Sequence, residues 1–131
     1  MSYNILNDAT RNENYGTVDL TDDPGYSNNL SPDWKGPGWY RFQSPAGDKM
    51  ADTYVAKYHC GTRVAYWING EHPTNVGETV TRTVCGSWST NCQGSTSIQI
   101  KKCGSYFLYD LPNVPKSYGR YCGRLEGEQS Q

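Results

Sequence analysis

Two short stretches of the 131-residue chain concentrate oxygen-bearing side chains. The first is Asp19-Leu-Thr-Asp22-Asp23-Pro-Gly25 followed by Asn28, Asn29 and Asp33, an acidic loop rich in turn formers. The second is Asn69-Gly-Glu71-His-Pro-Thr-Asn75. Calcium takes roughly six to eight oxygens from carboxylates and carbonyls, and a position left open on the ion can accept the vicinal hydroxyls of a sugar. Asp22, Asp23, Asp33 and Glu71 are therefore the candidate calcium ligands, with Glu71 and Asn75 as candidate carbohydrate contacts. Each stretch also has a plainer reading. Asp and Asn favour turns for backbone reasons alone, Asn69-Gly70 is a hairpin-turn signal, and neither stretch carries the liganding order of an EF-hand.

Aromatic rings supply the other half of a galactose site. The axial 4-hydroxyl leaves one face of that sugar as a patch of C–H groups that a Trp or Tyr ring can cover. Trp34, in the polar run Ser31-Pro-Asp-Trp-Lys-Gly-Pro-Gly38, is the tryptophan expected to be exposed. Tyr118, in Lys116-Ser-Tyr-Gly-Arg120, is a second loop aromatic, and Arg120 and Lys116 are candidate donors to sugar hydroxyls. Hydrolytic machinery is harder to assemble. His59 and His72 are the only imidazoles, and the chain has neither a Gly-x-Ser-x-Gly elbow nor a His-Glu-x-x-His zinc motif. The expectation is a binding protein, not an enzyme.

These residues must be positioned by a small, unusual core. Eleven Tyr and four Trp stand beside only two Phe, so the interior is expected to be aromatic and hydrogen-bonded through its polar tips. Five cysteines offer the covalent support that such a domain needs, and their use points to an oxidising compartment. No C-x-x-C spacing suggests a zinc knuckle, and spacing alone leaves the pairing open. Twelve basic against thirteen acidic residues give a formal charge of −1, with the cations scattered, which speaks against nucleic acid. No apolar run approaches the roughly 20 residues of a membrane span. The N-terminus lacks the pattern of a signal peptide, so a secreted protein is expected here as its mature form with a start methionine.

The segments between read as strands. Ser95–Lys101 alternates Thr96, Ile98 and Ile100 against Ser97, Gln99 and Lys101, and Glu78–Cys85 alternates threonines against Val80, Arg82 and Val84. Tyr106–Tyr109 follows as a hairpin partner, and 39–42, 54–60 and 64–68 complete the set. One all-β, sandwich-like domain over residues 1–131 is predicted, with long loops and a frayed tail from 124. Asn29-Leu-Ser31 is an N-glycosylation sequon, which fits secretion.

An ordered series of motifs then carries a resemblance. Gly38-Trp-Tyr-Arg-Phe42, Lys49-Met-Ala-Asp-Thr53, Trp67-Ile-Asn-Gly-Glu-His-Pro73, Val84-Cys85 with Trp88, Ser97-Ile-Gln-Ile-Lys101 with Cys103, Tyr106-Phe-Leu-Tyr-Asp-Leu111 and Tyr121-Cys122 occur in turn. The chain resembles, from about Leu30 to Gly123, the cysteine-rich extracellular domain shared by uromodulin, pancreatic secretory granule glycoprotein two and oncoprotein-induced transcript three protein. It has fewer cysteines than that pattern: Tyr54 and Gln93 stand where the family carries cysteines, and the penultimate one is missing. With those partners lost, the resemblance implies Cys85–Cys92 and Cys60–Cys122, leaving Cys103 unpaired or bridging two chains. Trp39, Trp67 and Trp88 fall in family motifs, which implies core packing. Among proteins with this reduced set, the chain is similar to secreted cnidarian lectins that bind terminal β-galactose through calcium. That resemblance implies a secreted calcium-dependent lectin for galactose-terminated glycans; a shallow site binds weakly, so it is expected to work multivalently as a homodimer, for which the odd cysteine offers a covalent route. The competing expectation is an extracellular protein-interaction module that binds no sugar.

Overall fold

Alternation of side chains across a strand decides which residues of this chain become core. The computed structural model describes residues 2–16, 21–23, 30–90, 92–115 and 119–125. Within them lie nine strands: β1 (Asn4–Leu6), β2 (Gly38–Phe42), β3 (Lys49–Met50), β4 (Ala65–Asn69), β5 (Thr79–Ser87), β6 (Gly94–Cys103), β7 (Tyr106–Leu111), β8 (Arg120–Tyr121) and β9 (Gly123–Arg124). A single 3-10 turn, Ala9–Arg11, precedes β2. Seven strands form one sheet in the order β1-β2-β7-β6-β5-β4-β8, and β3 pairs with β9 in a second, two-stranded sheet. The fold is all-β and stapled by two disulfides.

The predicted alternation of β5 and β6 sets the two faces of the large sheet. Val84, Ile98 and Ile100 face the main core together with Tyr40, Phe42, Tyr66, Ile68, Tyr109, Leu111 and Tyr121. The phenol tips of Tyr40, Tyr109 and Tyr121 are hydrogen-bonded, which offsets the burial of a polar group. The Tyr40 hydroxyl donates to the Gly36 carbonyl at 2.6 Å, and that of Tyr121 to the Pro112 carbonyl at 2.6 Å. On the opposite face Trp67, Ala65 and Cys85 form a smaller cluster with Ala51, Val55, Cys60 and Cys122. That cluster covers only the β4 end of the outer face; over β5 and β6 the outward side chains Thr81, Thr83, Ser97 and Gln99 remain exposed, while on β7 Asp110 is half-buried and Leu108 buried.

Three expectations are corrected. Residues 54–60 are not a strand but a turn-bearing loop, with Tyr58 and Cys60 both at φ 63°, a left-handed conformation incompatible with a strand. Cys60 is tied there to Cys122. Arg124, assigned above to a frayed tail, lies in β9 and is buried, its guanidinium donating to Glu13 at 2.6 and 2.8 Å and to Asp52 at 2.9 Å. Trp39, placed in the core by its motif, is only half-buried.

Candidate functional site

The acidic loop is built around a guanidinium. Arg11, at the end of the 3-10 turn, is fully buried, and its Nη1 and Nη2 donate to the two carboxylate oxygens of Asp23 at 2.6 and 3.1 Å. Asp33 accepts from Arg11 Nε at 3.2 Å, from Arg11 Nη2, and from the Asp8 backbone N–H at 3.1 Å. Burial pulls the Arg11 guanidinium pKa down, but the charges of Asp23 and Asp33 outweigh it and leave the pKa raised. Burial likewise pushes Asp33 up, and Arg11 more than reverses that, holding its carboxyl below the ordinary value. Asp22 is buried and accepts from the Gly119 N–H at 2.8 Å and the Thr62 hydroxyl at 3.4 Å.

These contacts correct the calcium assignment to Asp22, Asp23 and Asp33. A cation at Asp23 and Asp33 would have to displace a buried guanidinium, whose desolvation is tolerated only because it is paired, and Asp22 is buried with its carboxylate taken by the Gly119 N–H and the Thr62 hydroxyl. The three carboxylates do not fit a metal site. Among the described residues no group of three His, Cys, Asp or Glu side chains could hold a metal ion.

Two proposed sugar contacts are corrected on the same grounds. Trp34 is 4% exposed, stacked on Tyr40 at 4.8 Å with the rings 7° from parallel and tilted against Tyr121 at 5.9 Å. Polar neighbours in sequence had suggested exposure, but the loop folds its one large apolar side chain inward. Arg120 is fully buried in β8, donating to the Thr10 hydroxyl at 2.7 Å, the Ser31 hydroxyl at 3.1 Å and the Cys60 carbonyl at 3.1 Å. Burial first, then the neighbouring charge of Arg11, lowers its pKa to about 10. Asp19, Asn28, Asn29, Lys116 and Tyr118 lie outside the described residues.

The second stretch behaves differently. Asn69 is exposed at the end of β4, and Glu71 and Asn75 are exposed on the loop joining β4 to β5. The loop is shaped by Glu78, whose carboxylate accepts from the Thr74 and Asn75 backbone N–H groups at 3.1 and 3.2 Å. Arg82 Nε donates to the Glu71 carbonyl at 2.8 Å, which leaves the Glu71 side chain facing outward.

His72 sits in an arrangement that looks catalytic and is structural. Its Nδ1 lies 3.0 Å from Asp52 and its Nε2 lies 2.8 Å from the Tyr109 hydroxyl. That hydroxyl also accepts from the Met50 N–H at 2.9 Å, and an ionised Asp52 can only accept, so Nδ1 donates toward Asp52. Tyr109 is fully buried, so the hydroxyl of this Asp–His–Tyr relay cannot meet a substrate.

The cysteines pair as Cys60–Cys122 and Cys85–Cys92, with Cys103 a half-buried free thiol at the end of β6. Gln93, beside Cys92, accepts from the Ser89 backbone N–H and hydroxyl at 2.8 and 2.7 Å and so helps to close the loop between β5 and β6.

Three features escaped sequence reasoning: the buried Arg11, the buried Arg120 and the open outer face of β5 and β6. The last had a signal, since the polar half of the alternation in Thr79–Thr83 and Ser97–Lys101 marks one continuous surface once the strands are paired. The arginines had none, because an Arg between Thr and Asn, or one following Lys-Ser-Tyr-Gly, reads as surface.

The model of the uromodulin-like D8C domain matches residues 40–123. Over 87 residues, 65% of this chain, the sequence is 44% identical to the pancreatic secretory granule membrane major glycoprotein GP2 of Canis lupus familiaris, covering 17% of that protein. It is 37% identical over 122 residues to uromodulin of Rattus norvegicus, covering 92% of this chain and 17% of the relative. GP2 of Mus musculus is 34% identical over 128 residues, covering 92% of this chain and 22% of the relative. The chain thus spans less than a quarter of the curated relatives it matches. With the motif series and the all-β architecture both in place, the match over 40–123 settles the family: the chain belongs to the uromodulin-like D8C domains.

Proposed function

We propose that the chain is a non-catalytic extracellular lectin that binds terminal β-galactose with the help of calcium and acts as a homodimer. The observation that carries this reading is the exposed Glu71 and Asn75 on one ordered loop, an outward carboxylate and amide not committed to the fold. Calcium held by these two side chains and by loop carbonyls would supply coordination positions for vicinal sugar hydroxyls. Secretion is supported by the two disulfides and by relatives whose name places them in secretory granules. No helix among the described residues is long and apolar enough to cross a membrane. A single shallow site binds weakly, so avidity needs linked copies. Cys103, with no partner cysteine in its own chain, is the group that would link them.

The test is agglutination of galactose-bearing cells. It is expected in calcium and lost on adding either a chelator or free galactose; agglutination indifferent to both removes the calcium and galactose assignments.

A second reading is a protein-interaction module without sugar binding. It is favoured by the small share of each relative that this domain covers, which is the pattern of a module embedded in a larger protein. A glycan array showing no saccharide signal would select it.

A further inference from the structure

Over β5 and β6 the outer face of the large sheet carries exposed polar side chains. Strand register aligns Trp39 of β2, Asp110 of β7, Gln99 of β6 and Thr81 of β5 as one rung. Residues paired across strands point to the same side, and strands lie about 4.8 Å apart, so this row of indole, carboxylate, amide and hydroxyl is about 14 Å long. At its centre is a groove of about 320 Å³, lined by Thr81, Ser97, Gln99, Asp110, Pro37 and Pro112 among others. It exists because β7 stops at Leu111: β6 runs on toward Ser97 without a neighbour on that side, and Pro37 and Pro112 form the wall. That volume falls within the roughly 300–1,000 Å³ of small-ligand clefts.

We infer that this groove is a second, metal-independent saccharide subsite, which holds one pyranose through the side chains of Thr81, Ser97, Gln99 and Asp110. The inference rests on the saccharide-binding reading but not on calcium or on Glu71. Among the described residues these four side chains have no hydrogen-bond or ion-pair partner in the protein. Two hydroxyls, an amide and a carboxylate are the donors and acceptors that match adjacent sugar alcohols, since a carboxylate accepts from two hydroxyls and an amide both donates and accepts. Charge favours a neutral polyol over other ligands. Asp110 repels an anion, Lys101 on the next rung and Arg41 over the Tyr106 ring repel a cation, and the polar floor does not suit an apolar peptide. Trp39, half-buried on the same rung, offers an indole beside Asp110 for the C–H face of a ring.

The test is amide chemical-shift mapping of the full chain titrated with lactose in EDTA, repeated in calcium. Shifts confined to Thr81, Ser97–Gln99 and Asp110 in EDTA are expected, weakened at least tenfold in both Gln99→Ala and Asp110→Asn and unchanged in Glu71→Ala. Shifts that occur only in calcium and only around Glu71 would overturn the groove while leaving the lectin reading intact. No lactose shifts under either condition would overturn both.

Discussion

Asp23 grips Arg11 through both carboxylate oxygens, at 2.6 and 3.1 Å, with both side chains fully removed from solvent. Asp23 also accepts the Tyr121 N–H at 3.0 Å, so one carboxylate joins the 3-10 turn to β8 across most of the chain length. Breaking such a pair from one side leaves an uncompensated buried charge. Asp23→Ala is therefore expected to lose about 3–5 kcal/mol of stability, read as a fall in the urea midpoint. An unchanged midpoint would mean that the Arg11 cluster is not part of the folded core.

The Cys60–Cys122 bridge closes a 62-residue separation and fixes the loop 54–60 against the end of the sheet. In the chain-entropy model its removal costs about 4 kcal/mol, against about 2.5 kcal/mol for the short Cys85–Cys92 loop. Paired Cys→Ala variants compared by thermal melting should rank in that order.

Acid stability should report Asp52. The hydrogen bond from His72 is the largest influence on its carboxyl; burial opposes it, and the charges of Lys49, His72 and Arg124 reinforce it, leaving a pKa of about 2 against an ordinary 3.8. A carboxylate depressed in the folded state contributes stability that is complete above its unfolded value and is lost as pH falls through the folded one. The expected loss attributable to Asp52 lies between pH of about 4 and about 2, and Asp52→Asn should flatten that part of the denaturation profile.

Much of this architecture was legible in the residues. The alternation in Ser95–Lys101 and Glu78–Cys85 placed Ile98, Ile100 and Val84 on the core face, where they are found, because a strand that is half-buried must obey period two. The resemblance likewise implied the cysteine pairs now seen. What failed was any inference that equated polar sequence with polar location. Trp34 sits among Ser, Asp, Lys and Gly and is buried, while Asp23 and Arg120 look like surface charges and are interior ones. Their burial depends on partners far away in sequence, which no local pattern encodes. Of the site residues, Glu71 and Asn75 are exposed on the loop between β4 and β5.

Cys103 stands on the same outward face of β6 as Ser97 and Gln99, at the strand's end, half-exposed and unpaired. Non-reducing mass analysis is expected to show a species of twice the chain mass that disappears in Cys103→Ser and in reductant. A purely monomeric wild-type chain, with its Cys103 thiol free to alkylation, would remove the covalent route to multivalency.

Calorimetric titration of the full chain with lactose, in calcium and then in chelator, tests galactose recognition most directly. Binding at least tenfold tighter in calcium is expected, with Glu71→Ala reducing the calcium isotherm to the chelator one. Identical isotherms with and without calcium would contradict the role of the ion, and no heat in either would contradict sugar binding itself.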